Sequence, residues 1–185
     1  MLDVFYDSNS ERREEKTNKK VLIGIISVFS ILVLAAPLAF ADGPIMCFHK
    51  EIWNGPTTVP LNTDVQWRIA IMFYTPVAIQ NAVVKDNLGA ELEIDSPFTA
   101  THGTASYVTQ GGSDQVRITW NIGDVPADTT CILTFWVSTD LNPAGHQEYT
   151  SCGCYALNSG ATIKYYYMGV KYSATADPIY VTVTG

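Results

Sequence analysis

From residue 64 onward the chain alternates. In residues 64–74 (DVQWRIAIMFY), Val65, Trp67, Ile69, Ile71 and Phe73 occupy every second position. Residues two apart share one face of an extended strand, whereas a helix would scatter them around its axis. The period recurs at Val116, Ile118, Trp120 and Ile122, and again at Cys131, Leu133, Phe135 and Val137. Turn-forming clusters separate the runs: Thr75-Pro76, Asp86-Asn87-Leu88-Gly89, Ser96-Pro97, Gly123 to Asp128, and Leu141 to Gly145. Further strands are expected over 79–85, over 91–95 with Leu92 and Ile94 inward, and over 148–157, 161–168 and 179–184. A hairpin loop is expected around Gly111-Gly112. Strands at this spacing let two antiparallel sheets close over one core. Residues 61–185 are therefore expected to form an all-β sandwich, with 42–60 as a strand segment leading into it. Burying ten such large side chains is worth roughly 15–30 kcal/mol before chain entropy is charged. That suffices for one domain.

Ahead of this region, Val21 to Ala41 (VLIGIISVFSILVLAAPLAFA) carries no charge, and Lys19-Lys20 stand directly before it. A bilayer-crossing helix needs roughly 20 such residues. Pro37, the small-x-small pattern Ala39-Phe40-Ala41 and the polar Asp42-Gly43 instead resemble the end of a secretory signal, cleaved after Ala41. As a cleaved signal or an uncut transmembrane anchor, the run leaves residues 42–185 outside the cell, and an anchor keeps the lysine flank in the cytoplasm. Residues 1–20 are polar and of mixed charge, and read as a cytoplasmic tail or n-region without a fold of its own.

The first 20 residues hold five acids and five bases, so the net charge of −7 arises wholly beyond them, where 13 acids face 6 bases. Phosphate backbones and anionic headgroups are poor partners for such a surface. The exported part is expected to meet other surface proteins, itself or carbohydrate, with the membrane a partner only through an uncut 21–41.

Four cysteines, Cys47, Cys131, Cys152 and Cys154, lie in the exported part. An even count in an oxidising compartment points to two disulfides. A Cys152–Cys154 bridge would close a strained ring across one residue, so Cys47 and Cys131 are each expected to pair with one member of that Cys-Gly-Cys. The competing reading is a metal site on Cys47, His49, Cys152 and Cys154, although C-x-H and C-x-C lie outside the usual zinc spacing. His49, His102 and His146 are scattered and belong to no hydrolase or metalloprotease motif. Asp124, Asp128 and Asp140 lack the density of a calcium loop. No catalytic residue and no cofactor is expected. Tyr165-Tyr166-Tyr167 puts aromatic rings on both faces of one strand.

Three blocks resemble a known family, in order. Val83-Val84-Lys85-Asp86-Asn87-Leu88-Gly89-Ala90-Glu91-Leu92 is similar to a V-x-V-x-D-x-L-P-x-G-L turn, with Gly89-Ala90-Glu91 replacing Pro-x-Gly. Val116 to Val125 is similar to a V-x-W-x-I-G-x-L block followed by an apolar strand. Leu157 to Lys164, with Ser173 to Ile179, resembles a closing half. Together they resemble the conserved-repeat domain of archaeal and bacterial surface proteins (domain-of-unknown-function eleven). The resemblance implies an immunoglobulin-like sandwich and no established active site to carry over. The function expected is a non-enzymatic structural or interaction module of the cell surface, in adhesion or the envelope. One alternative is a filament subunit assembled by donating the segment from Ile45 to Trp53 to a neighbour's sheet edge. Another is an extracellular metal- or redox-active cysteine protein.

Overall fold

The alternating runs all become strands. The computed structural model describes residues 43–95, 97–110, 115–139 and 149–185, all within the unit Ala41–Gly185. The apolar run, the Ala41 cleavage position and the break at 141–145 lie outside the described residues. Among the described residues there is no helix long and apolar enough to cross a membrane.

One sheet places β1 (Met46–Asn54) beside β3 (Gln66–Thr75) and β3 beside β9 (Thr129–Ser138). Two short strands, β5 (Glu93–Ile94) and β6 (Thr99–Ala100), pair in turn with β9. A second sheet runs β12 (Val170–Thr175), β11 (Thr162–Tyr167), β4 (Ile79–Asn87), β8 (Val116–Val125), β7 (Thr104–Thr109). Every pairing in these two sheets is antiparallel. A small third sheet runs β10 (Gly153–Asn158), β13 (Ile179–Thr184), β2 (Thr58–Pro60), and departs from the expected all-antiparallel pattern because β2 lies parallel to β13. Strand β2 is an edge, where Pro60 has no ladder donor to lose.

The core lies between inward faces at alternate positions. Trp67, Ile69, Ile71 and Phe73 of β3 and Cys131, Leu133, Phe135 and Val137 of β9 are buried, as are Val116, Ile118 and Trp120 of β8. Phe73 and Trp120 meet across the two large sheets with ring centroids 6.1 Å apart. Both buried indoles also find acceptors: Trp67 Nε1 donates to the Pro56 carbonyl and Trp120 Nε1 to the His102 carbonyl, each at 2.7 Å. A buried indole N–H left unpaired would cost more than its hydrogen bond returns, so these two contacts fix the loops that cover the core.

Boundaries moved where local chemistry overrode the pattern. Strand β8 runs through Gly123-Asp124 to Val125 instead of turning there, because Gly123 adopts φ +80° and the ladder slips between Ala82↔Gly123 and Ile79↔Val125. The turn falls on Pro126-Ala127-Asp128, with Asp128 at φ +55°. The strand expected over 91–95 shrinks to two residues, since β9 offers one edge to both β5 and β6. Strand β12 was not expected; Met168 (φ +49°) and Gly169 (φ +76°) form a two-residue turn that brings Val170 opposite Tyr167. The hairpin expected around Gly111-Gly112 exists as the β7–β8 pair, closed by Thr109↔Val116, with 111–114 outside the described residues.

Candidate functional site: a buried lysine, aspartate and asparagine

Among the described residues, the buried polar side chains other than hydroxyls are Lys50, Asp86 and Asn158. In β1, Phe48, Lys50 and Ile52 share one face, and Phe48 and Ile52 pack against the core, so Lys50 points inward with them. In β4, Ala82, Val84 and Asp86 share the buried face. Asn158 ends β10 and is fully buried. A short antiparallel link joins the ends of β4 and β10: Leu88 bridges Asn158, Gly89 N–H donates to the Leu157 carbonyl at 3.0 Å, and Ser159 N–H donates to the Asn87 carbonyl at 3.0 Å. One strand from each of the three sheets thus delivers a polar side chain to one point.

Lys50 Nζ lies 3.2 Å from Asp86 Oδ1, and neither side chain is exposed. The same Nζ donates to Asn158 Oδ1 and to the Ser159 carbonyl. Asn158 Nδ2 donates to Asp86 Oδ2 at 2.6 Å, and the Asn87 backbone N–H donates to Asp86 Oδ1 at 3.0 Å. The aspartate carboxyl therefore touches both the lysine nitrogen and the asparagine amide nitrogen, one with each oxygen. Burial dominates the protonation of both partners. It lowers the Lys50 ammonium below its usual range despite the attraction of Asp86. It raises Asp86 despite Lys50 and the hydrogen bonds from Asn158, Lys50 and Asn87. Both shifts run toward an uncharged amine beside an uncharged carboxyl, because a dry interior penalises separated charges. An amine in that state is a nucleophile.

No sequence pattern announces this cluster. Asp86 read as part of a turn and Asn158 fell between the strands expected over 148–157 and 161–168, and 36 to 108 residues separate Lys50 from its two side-chain partners. The available signal was a lone lysine on the apolar face of a strand, with no other Lys or Arg between positions 42 and 67.

The residues expected to form a site are dispersed. Cys131 is buried on β9, whereas Cys47, Cys152 and Cys154 are exposed, and all four are free thiols, so neither expected disulfide is formed here. Cys131 occupies a core position of the alternating face, which turns its sulfur away from the surface thiols. Burial raises its pKa to about 11. His49 Nδ1 contacts the Cys47 carbonyl at 2.7 Å, not a sulfur. Among the described residues no three His, Cys, Asp or Glu side chains converge as metal ligands. Asp124, a residue of β8 itself, accepts the Asn81 N–H through Oδ1, and Asp128 in the turn that follows accepts the Tyr74 hydroxyl through Oδ1, both at 3.0 Å. His146 and Asp140 lie outside the described residues. In the tyrosine run, Tyr165 is buried and Tyr166 exposed. Tyr166 lines a groove on the second sheet with Lys85, Lys164 and Lys171, half of the basic residues beyond position 41.

The class these features define is an all-β domain, chiefly antiparallel, with a dry lysine–aspartate–asparagine cluster where its sheets meet. No family model matches the chain. It is 35% identical over 127 residues to an uncharacterized protein of Archaeoglobus fulgidus, covering 65% of this chain and 44% of that protein, so the chain spans less than half of that relative's length. Among solved structures it is similar to BcpA, the major pilin subunit of Bacillus cereus, in its D312A form (TM-score 0.48, 17% identity, 75% of this chain and 40% of that one). It is also similar to the major pilin SpaD of Corynebacterium diphtheriae (TM-score 0.42, 12% identity, 72% and 35%).

Proposed function

We propose that residues 43–185 are a non-enzymatic structural or interaction module on the outside of the cell, an immunoglobulin-like sandwich of the conserved-repeat surface type. The observation that carries this reading is adjacency: the first strand begins at Met46, five residues after an uncharged 21-residue run ends at Ala41. The sheets facing one another over a single core support the immunoglobulin-like reading. Strand donation is the weaker version. The segment from Ile45 to Trp53, which the sequence offered to a neighbour, is spent at home, since β1 pairs with its own β3 from Met46↔Tyr74 to Asn54↔Arg68.

The interaction face of the module is the lysine-lined groove around Tyr166. Its complement is a carboxylate-rich partner surface. Membrane-impermeant amine labelling of intact cells making the full chain tests the location. Labelling of Lys85, Lys164 or Lys171 is expected, and labelling only after lysis would overturn it.

A further inference from the structure

We propose that Lys50 and Asn158 join covalently: the Lys50 amine displaces ammonia from the Asn158 carboxamide, with Asp86 carrying the proton, and an isopeptide bond ties β1 to β10. This goes beyond the surface-module reading and does not rest on it.

Three observations carry the step. The nucleophile and its target touch, since Lys50 Nζ lies against Asn158 Oδ1, one bond from the carbon it attacks. The Asp86 carboxyl spans the two nitrogens that exchange a proton, at 3.2 Å from Nζ and 2.6 Å from Asn158 Nδ2. The side chains of Lys50 and Asp86 have no exposure and Asn158 is fully buried, so bulk water does not compete for the amide. Burial also favours the uncharged amine, the form that attacks.

The atoms balance without a co-reactant. Nζ of the neutral amine bonds to Asn158 Cγ, and the Cγ–Nδ2 bond breaks. One of the two hydrogens on Nζ passes to an Asp86 oxygen, and Asp86 returns a proton to the departing Nδ2. The products are a secondary amide and one ammonia, and Asp86 ends as it began. Asp86 is therefore a catalytic residue for the chain's own cross-link, used once. The bond closes a ring between positions 108 apart, and it holds β1 permanently in its own sheet.

The test is intact mass of the full chain, reduced and denatured, followed by tandem mass spectrometry of its peptides. The expected mass falls short of the sequence, after any leader removal, by one ammonia. The expected fragment is a branched peptide joining the Lys50 and Asn158 segments, which separates this product from simple ring closure at asparagine. Asp86→Ala, Lys50→Met and Asn158→Ala are each expected to restore full mass. A folded parent of full mass overturns the proposal, as does ammonia loss without a branched peptide. Parent mass and fragmentation decide the question even where a variant does not fold. An Asp86→Ala protein that folds and still cross-links overturns the role of the aspartate.

Discussion

Gly103 is the position where one added carbon tells most about how the core is closed. It sits at φ +69° in the loop between β6 and β7, and a Cβ there would fall 2.0 Å from the Asn121 carbonyl oxygen and 2.6 Å from Ile122 Cα. Both are backbone atoms of β8, a strand paired on both edges. They cannot yield, so in Gly103→Ala the loop must lift. The neighbouring His102 carbonyl then leaves Trp120 Nε1, its 2.7 Å donor. The left-handed conformation costs alanine about 1–2 kcal/mol. Orphaning a buried donor adds about 1–3 kcal/mol. Gly123 supplies the internal reference: it has φ +80°, with nothing within 4 Å of its added Cβ. Gly123→Ala therefore bears the conformational cost alone. The smaller unfolded-state entropy of alanine helps both variants equally and cancels in their difference. At roughly 3 °C per kcal/mol for a domain of this size, Gly103→Ala should melt roughly 3–9 °C below Gly123→Ala. Calorimetry of both beside the parent measures it. Equal melting temperatures for the two variants would refute the claim that the loop is pinned onto β8.

Other outcomes follow from the same packing. Leu133→Ala removes a fully buried side chain from the middle of β9 and should lower unfolding stability by about 2–5 kcal/mol in urea titrations followed by circular dichroism. Trp67→Phe strands the Pro56 carbonyl, a loss of about 1–3 kcal/mol by the same assay, and the smaller ring leaves a void in the core that adds to it. With thiols reduced, a thiol-specific reagent at pH 8 should modify Cys47, Cys152 and Cys154 quickly and Cys131 only on unfolding, because burial holds the Cys131 thiol protonated. Fast native labelling of Cys131 would contradict its placement. Cys131 also makes the fold weaken in alkali. Its folded pKa of about 11 stands above the ordinary 9.0, so from pH 9 upward the unfolded chain releases a proton that the folded chain keeps, and stability falls until about pH 11. Cys131→Val should flatten that part of a stability-versus-pH curve.

The strands were legible because their signal is local. A period of two over Trp67, Ile69, Ile71 and Phe73 needs no partner to be read, and each of those side chains is buried. Where a turn depended on backbone conformation the reading slipped, as at Gly123, which continues β8, and at Met168-Gly169, which make β12 possible. Lys50 was hardest to see. Its neighbours Phe48 and Ile52 set its inward direction, but nothing within a few residues says what it will meet.

The sequence by itself determined that this chain is built of strands, which side chains they bury, and that an uncharged run precedes them, since each follows from the spacing of neighbouring residues. Only the tertiary structure decided that Cys131 is buried while the other three cysteines are exposed, that β1 closes its own sheet, and that Lys50, Asp86 and Asn158 come together. Those are contacts between residues far apart in the chain, and they are set by how three sheets pack, which no local pattern records.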